Sequence, residues 1–484
     1  MKIEFIINRI VLSGTLVLLF LLFLNFNLNA QENRDVNLKI HLTGVYSSKV
    51  SLLPLSGAGA LKPFIEKPGI KNGETTVLTI PKDRLPGQFV LRFDYEEKEG
   101  STPYPSERYF YISNQNLEMW VKPKAINNPD STYFQKGEKE NALFMTFSIE
   151  NGKRKQQLGL LQNFLMGYDQ PKSTFYDLGI EEYENRRKEY NQWVTSQINL
   201  HKDAFVSSTF PFQFVQPIEW KGKEADKMNS LISHYFDNMD FKDPLLAKTA
   251  DLKDWMNKYV NLYGAMSTTV ALRDSLFTLA GKRAIEKASQ GDPLVYGWMV
   301  DYFYQGYESF AISSGMKMLE EHIQNPNCLT SKKQEIIRRL EGMEKLKVGT
   351  EAPSFEAEMA NGMQVRFNGI SKDKSYGLLL FYDSDCSHCK ELLQELKAWI
   401  VKPQNGVWFD VVTIAVDQAH EKWKSFHDQE NYPWTDVWAS GGINSKVAND
   451  YYILSTPVIY IIDKEMKVMA TPQNIKEIDK FLNQ

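Results

Sequence analysis

The sequence predicts a multidomain fold: an N-terminal β-sandwich, a central all-α region and a C-terminal α/β domain. Three observations predict it. Apolar and polar residues alternate in short runs up to about residue 123, a helical period follows to about residue 346, and strand and helix patterns then alternate to the C-terminus. The length of 484 residues also suits roughly three domains of ordinary size.

The charge of the chain excludes one class of partner. The formal net charge is −4 at neutral pH, and lysines and glutamates are interspersed rather than grouped. Nucleic-acid binding requires a basic face that neutralises phosphates. We therefore expect no nucleic-acid partner.

The N-terminus has the pattern of a secretory signal. Lys2 and Arg9 precede an uncharged apolar run, Ile10–Leu24, and a small residue, Ala30, follows a polar stretch. The run is shorter than the roughly 20 residues of a membrane-spanning helix, so a cleaved peptide over residues 1–30 is favoured, and a retained anchor stays open. No cysteine directly follows the run, which argues against a lipid anchor of the bacterial lipoprotein type.

Residues 31–128 are predicted to form the β-sandwich. Runs such as "VNLKIHL", "TTVLTI" and "QFVLRFDY" alternate in polarity and are bounded by Gly, Pro, Asn or Ser. This pattern is typical of an antiparallel sandwich of about seven strands. Nothing in this region indicates catalysis.

Residues 129–346 are predicted to be helical and rich in aromatic side chains. The segment "YGWMVDYFYQGYESF", Tyr296–Phe310, is typical of core packing between helices, with a peptide-binding groove as the alternative. Cys328 lies between helices in "NPNCLT", far from the other two cysteines. We interpret it as a quiet, buried thiol.

Residues 347–484 form the predicted α/β domain. The runs "SYGLLLFYD", "VWFDVVTIAVD" and "TPVIYIID" are continuous apolar strands, which indicates strands buried on both faces. The segment "FYDSDCSHCK" places Cys386 and Cys389 after the first of these strands, where Leu392 and Leu396 begin a helical period.

This position favours redox chemistry at the cysteine pair. The N-terminus of a helix stabilises a thiolate, and a second sulfur one turn along can attack the first and release a mixed disulfide. A structural zinc site would need a second Cys or His pair at similar spacing, which the chain does not offer. We therefore predict Cys386 as the attacking and Cys389 as the resolving residue.

The C-terminal region resembles the TlpA/ResA-like class of exported thiol-disulfide oxidoreductases. The opening "VGTEAPSFEAEMANGMQVRF", the strand before the CxxC, Asp417 at the end of "VVTIAVD", and "STPVIYIID" follow the order of that family. The resemblance covers less than a third of the chain. Less specifically, the upstream regions resemble the sandwich and helical extensions of such envelope proteins in Bacteroidetes-type bacteria.

The resemblance implies a thioredoxin fold, in which Thr456 and Pro457 form the cis-proline loop beside the active-site sulfurs. It implies protein thiols and disulfides as substrates, an inner-membrane redox protein as a partner, and neither cofactor nor metal. It also implies the periplasm, in the cell envelope of a Gram-negative bacterium, with membrane association left open.

One departure from the family lies directly before the first cysteine. Trp is common directly before it, and here Asp385 occupies that position with Asp383 nearby. Two carboxylates oppose ionisation of the Cys386 thiol, whereas a cationic His388 favours it. The two effects conflict, and the reduction potential is left open.

A further departure concerns the proton acceptor for the resolving cysteine. The family tends to place Glu three residues after the second cysteine and Pro shortly beyond, and here Leu392 and Gln394 stand at those positions. Glu391 and Asp383 are candidates for the acceptor, but solvated charges at a helix end explain both residues better.

Two other members of the same superfamily fit less well. A peroxiredoxin shares the opening motif but requires Thr or Ser three residues before its reactive cysteine and Pro four residues further back, where this chain has Asp383 and Leu379. A copper chaperone would space its cysteines more widely and add a distal histidine. His420 and His427 are available, but a polar amphipathic helix explains them better.

A different class of function also remains open. The regions before residue 347 make up about two thirds of the chain, and redox chemistry does not explain them. The protein would then be an envelope binding or assembly protein whose thioredoxin-like domain holds a partner without turnover. Activity in a disulfide-exchange assay separates the two interpretations.

Overall fold

The computed structural model describes residues 34–57, 60–401 and 408–483. The predicted signal peptide, residues 1–30, lies outside them. In the part of the chain that is described, no helix is long and apolar enough to cross a membrane. The chain divides into two compact units. The first comprises the residues up to Gly315 together with Asn325–Ser331, and the second comprises Met316–Gln324 and Lys332–Gln484.

The first unit begins with two sheets that share one core. The strands are β1 (Val36–Leu42), β2 (Ser47–Pro54), β3 (Ile65–Lys71), β4 (Thr75–Ile80), β5 (Gly87–Glu96), β6 (Tyr104–Ile112), β7 (Leu117–Val121) and β8 (Tyr133–Phe134). They form sheets of order β4-β1-β7-β8 and β3-β2-β5-β6. Apolar residues of β1, such as Leu38 and Ile40, pack in one cluster with Leu91 and Phe93 of β5. The predicted sandwich class is therefore confirmed.

The sequence pattern predicts an antiparallel sandwich, but one pair of strands in it is parallel. β1 and β7 pair in parallel, with Leu38 opposite Leu117. Parallel neighbours require a long crossover, and the intervening strands β2, β3, β5 and β6, which form the other sheet, provide it. Alternation of polarity predicts each strand but carries no information about the direction of its neighbour.

The helical part follows. Its helices are α1 (Glu140–Gly167), α2 (Thr174–Leu200), α3 (Glu224–Ser233), α4 (Asp251–Gly264), α5 (Val270–Ala288), α6 (Pro293–Ser309), α7 (Ser313–Met318), α8 (Glu320–Ile323) and α9 (Lys333–Lys345), with 3-10 segments at Phe205–Gln213 and Pro244–Lys248. Asp292 caps α6 by accepting the N–H groups of Leu294 and Val295. Most aromatic side chains of α6 are buried, which agrees with the core-packing interpretation; Phe310, just after it, is half exposed.

The second unit contains an α/β sheet of order β10-β9-β13-β12-β11-β14-β15. Its strands are β9 (Phe355–Met359), β10 (Gln364–Phe367), β11 (Tyr376–Tyr382), β12 (Phe409–Ala415), β13 (Thr435–Trp438), β14 (Val458–Ile462) and β15 (Val468–Ala470), and its further helices are α10 (Ser387–Trp399), α11 (His420–Glu430), α12 (Lys446–Asp450) and α13 (Ile475–Leu482). β11, β12 and β13 are parallel, and β14 is antiparallel to β11. The predicted thioredoxin fold is confirmed.

Successive residues of β11 belong to different cores. Leu379 and Phe381 pack in one cluster, and Leu378 and Leu380 pack in the other. All four are fully buried. A central strand buried on both faces explains why its sequence is continuously apolar.

The compact units do not coincide with the three predicted domain ranges. Helix α9, which the prediction assigns to the helical region, belongs to the second unit. A Cβ atom added at Gly342 of α9 would lie 2.6 Å from Cβ of Tyr452, and Arg338 donates to the carbonyl oxygen of Ala448 at 3.4 Å. Close packing against the α/β domain therefore groups α9 with that domain.

Candidate active site

Cys386 lies at the junction of β11 and α10. It is the N-cap residue of α10, and its Sγ accepts a hydrogen bond from the backbone N–H of Cys389 at 3.4 Å. The order of strand, CxxC and helix predicts this placement. An N–H donor and the positive end of the helix dipole both stabilise a thiolate on this sulfur.

The two sulfurs differ in exposure. Cys386 is half-buried, whereas Cys389 is fully buried, and both are free thiols. Burial, followed by the contact with Cys386, raises the pKa of the Cys389 thiol to about 12, although a hydrogen bond from the Thr456 side chain and one from the Asp383 backbone both act to lower it. A partner can therefore reach Cys386 first.

Thr456 and Pro457 lie beside the accessible sulfur. The peptide bond between them is cis, as the resemblance implies. The Sγ of Cys386 lies 3.8 Å from the Thr456 carbonyl oxygen, which accepts a weak hydrogen bond from the thiol group. The pairing of β14 with β11 brings this loop to the CxxC.

A buried carboxylate supports the loop before Cys386. Asp417, just after β12, accepts hydrogen bonds from the backbone N–H of Ser384 at 3.1 Å and from its hydroxyl group. Burial raises the pKa of Asp417, and the bonds from Ser384 act against this effect. The sequence pattern alone gives Asp417 no role. Because parallel strands end at the same edge of a sheet, its position just after a predicted strand could have indicated that it lies near the CxxC.

The other charged residues near the CxxC are dispersed. Asp385 is exposed and forms an ion pair with Lys422 of α11, while Asp383 accepts the backbone N–H of Asp385 at 2.8 Å. His388 and Glu391 are exposed in the first turns of α10. Among the contacts of the described residues, none singles out Glu391 as the proton acceptor of the resolving cysteine.

A second buried carboxylate, Asp436, organises a polar network that sequence reasoning missed. It accepts hydrogen bonds from Tyr382 at 3.0 Å, Thr413 at 2.6 Å and Trp423 at 3.1 Å, and its Oδ2 lies 2.7 Å from Nδ1 of His427. Tyr382 ends the strand that leads to the CxxC. The network therefore anchors the end of β11, and His427 has a structural place in it.

Cys328 and His420 are the other cysteine and histidine that the sequence analysis considered. Cys328 is buried in the first unit, with 8% of its surface exposed. His420 packs its ring against Trp423 and Trp438, with centroid separations of 5.5 and 5.0 Å. The burial of Cys328 agrees with the predicted quiet, buried thiol. The sequence predicts that His420 lies on a polar amphipathic helix, and it is the first residue of α11.

Comparison with known proteins finds a family match within the C-terminal region. Residues 348–471 match the AhpC/TSA family. No curated protein matches the chain significantly. The family match covers about a quarter of the chain, so it describes this domain and not the whole protein.

Solved structures from Bacteroides species resemble parts of the chain. A thioredoxin-like protein from Bacteroides caccae is 17% identical and aligns over 56% of this chain and 97% of its own, with a TM-score of 0.37. A thiol-disulfide oxidoreductase from Bacteroides fragilis is 24% identical over 28% of this chain and 98% of its own, with a TM-score of 0.25. The thioredoxin domain of a thiol-disulfide oxidoreductase from Bacteroides vulgatus is 22% identical over 28% of this chain and 96% of its own, with a TM-score of 0.25.

The fold and the family match together define the C-terminal domain. It is a thioredoxin-like domain, and its residues 348–471 match the AhpC/TSA family. Its sheet order places the CxxC after a central strand and at the start of a helix, where a reactive thiolate is stabilised.

Proposed function

We propose that this protein is an exported enzyme that exchanges disulfides with protein partners through Cys386 and Cys389. One observation carries the proposal: an accessible sulfur caps α10, and a fully buried sulfur lies one turn further along the same helix. Such an asymmetric pair can attack a partner and then release it.

The exchange proceeds in two steps that balance in atoms and electrons. The Cys386 thiolate attacks one sulfur of a partner disulfide, forms a mixed disulfide and expels the other partner sulfur as a thiolate. Cys389, after losing its proton, attacks the Cys386 sulfur, forms the Cys386–Cys389 disulfide and releases the second partner thiolate. Two electrons pass to the partner, and the reverse sequence oxidises a dithiol.

The environment of Cys389 fits a resolving role. Burial keeps it protonated before a partner binds, so it does not compete with Cys386 for the partner disulfide. The Thr456 hydroxyl and the Asp383 backbone N–H stabilise its thiolate when it forms. The site therefore separates attack from release by burial of one sulfur.

The proposed location is the periplasm. The charged start, the apolar run Ile10–Leu24 and the small residue Ala30 support export. Substrates are then protein thiols and disulfides of the cell envelope, and a redox protein of the inner membrane would return the CxxC to its working state. Fractionation of cells that express the full chain tests this location.

A disulfide-exchange assay on the chain without residues 1–30 tests the activity. We expect reduction of insulin disulfides, or rearrangement of a scrambled-disulfide substrate, that is lost in Cys386→Ser and retained in the matched variant Cys328→Ser. If the wild-type protein shows no exchange, and the Cys386→Ser/Cys389→Ser double variant still binds envelope partners, the binding or assembly interpretation replaces the enzymatic one.

A further inference from the structure

A lysine from a different helix faces the carboxylates beside the reactive cysteine. Lys422, in the first turn of α11, pairs with Asp385, which directly precedes Cys386. The same Nζ lies 4.0 Å from Oδ1 of Asp417, whose side chain is fully buried. The Lys422 cation therefore pairs with two carboxylates that come from different segments of the chain.

Both carboxylates are linked to the segment that directly precedes the cysteine. Asp385 is its neighbour in sequence, and Asp417 holds both the N–H and the hydroxyl group of Ser384, two residues before it. A negative charge near a thiol disfavours the thiolate. Without compensation, both carboxylates would weaken the nucleophile that the helix N-terminus stabilises.

We propose that Lys422 is a positioning residue that keeps the Cys386 thiolate available by neutralising Asp385 and Asp417. This inference rests on the proposed function and names a further residue of the same site. It also accounts for the Asp385 that stands where the family commonly has Trp: the carboxylate is paired rather than free.

Other charged groups lie close to the loop in sequence. Asp383 adds a third negative charge, and His388 and Lys390, in the first turn of α10, are exposed to solvent. Among the described residues, the ion pairs of Asp385 and Asp417 are with Lys422. The hydrogen bond with Asp385 raises the pKa of Lys422, so this lysine stays cationic at neutral pH. Removing it would leave Asp383, Asp385 and Asp417 without this compensation.

The test measures ionisation of Cys386 without requiring turnover. The reduced protein is alkylated with iodoacetamide across a range of pH, and the rate at Cys386 is followed by mass spectrometry of its peptide. Exposed ion pairs are screened by solvent, so we expect Lys422→Met to slow alkylation at neutral pH by about two- to tenfold and to move its pH midpoint upward. Lys422→Arg should restore the wild-type profile.

Lys424→Met is the matched control, because Lys424 lies on the same helix and pairs with Asp428 instead. It should leave the profile unchanged. Asp385→Asn should lower the pH midpoint in the wild-type background and should recover much of the lost rate in the Lys422→Met background. The single variant Asp385→Asn keeps the test decisive if Lys422→Met fails to fold.

Two results would overturn the proposal: an unchanged Cys386 profile in folded Lys422→Met, or no response to Asp385→Asn. These failures are distinct from failure of the proposed function. Absence of disulfide exchange by the wild-type protein would reject the enzymatic role, whereas an unmoved thiol profile in an active enzyme would reject only the role of Lys422.

Discussion

The Sγ of Cys386 lies 3.8 Å from the carbonyl oxygen of Thr456, seventy positions later in the chain. The contact follows from the antiparallel pairing of β11 and β14, in which Phe381 lies opposite Val458. The loops that adjoin these two residues therefore meet at one edge of the sheet. An extended partner segment could pair with the Thr456 backbone while its disulfide faces the sulfur, as in strand addition.

The hydroxyl group of Thr456 should accelerate release of the partner. It acts to lower the pKa of Cys389, so Thr456→Val should raise that pKa further and reduce the fraction of resolving thiolate. We expect the mixed disulfide to last several-fold longer, while attack by Cys386 is little changed. Rapid mixing with a disulfide peptide and acid quenching measures both steps, and Thr456→Ser, which keeps the hydroxyl, should behave like the wild type. Equal lifetimes in the Val and Ser variants would contradict this role.

Replacing either cysteine should separate attack from release. In Cys389→Ser the first sulfur still attacks but nothing resolves the product, so mixed disulfides with native partners should accumulate on non-reducing gels. Cys386→Ser should trap little, because the remaining thiol is fully buried and its pKa is raised to about 12. Mass spectrometry of the trapped species identifies the partners. Trapping by Cys386→Ser alone would reverse the assignment of the two sulfurs.

Cys328 should be dispensable for activity. It is buried in the first unit, with 8% of its surface exposed, and burial normally protects a free thiol from reaction. Cys328→Ser should leave the rate of insulin reduction within experimental error, although a small loss of thermal stability is expected from placing a hydroxyl at a buried position. A clear loss of turnover, or a disulfide to Cys328 in the purified protein, would disprove this prediction.

Stability of the C-terminal domain should depend on pH through His427. The hydrogen bond with Asp436 raises the pKa of His427 above its ordinary value of 6.5. A raised folded-state pKa stabilises the fold fully at pH below the ordinary value, and this contribution disappears as the pH rises through the folded-state pKa. His427→Asn should therefore lose more protection against hydrogen exchange at about pH 5 than at about pH 9, because only the protonated histidine adds this stabilisation.

Hydrogen exchange in the full-length protein measures this effect, read at the amides of β11 and β12. The comparison of interest is the difference between wild type and His427→Asn at each pH, which removes the intrinsic pH dependence of exchange. A difference that is the same at both pH values would show that the Asp436 contact is not linked to protonation.

The sequence by itself determined the local features of this protein. Continuous apolar runs identified the buried strands, and the spacing of Cys386 and Cys389 before a helical period located the reactive pair. These features depend on neighbours within a few residues, which periodicity and helix capping encode directly. The place of Thr456 and Pro457 came from the family resemblance, because spacing alone would not have joined two segments so far apart.

Only the tertiary structure decided which distant side chains share the site. Asp417 and Ser384 are 33 positions apart, and Lys422 and Asp385 are 37 positions apart; both pairs meet beside the CxxC. The buried strands have similar apolar compositions, so the sequence pattern does not state their order, their register or which strand ends adjoin. Those long-range pairings decide which carboxylate is buried against the loop of Cys386 and which lysine neutralises it.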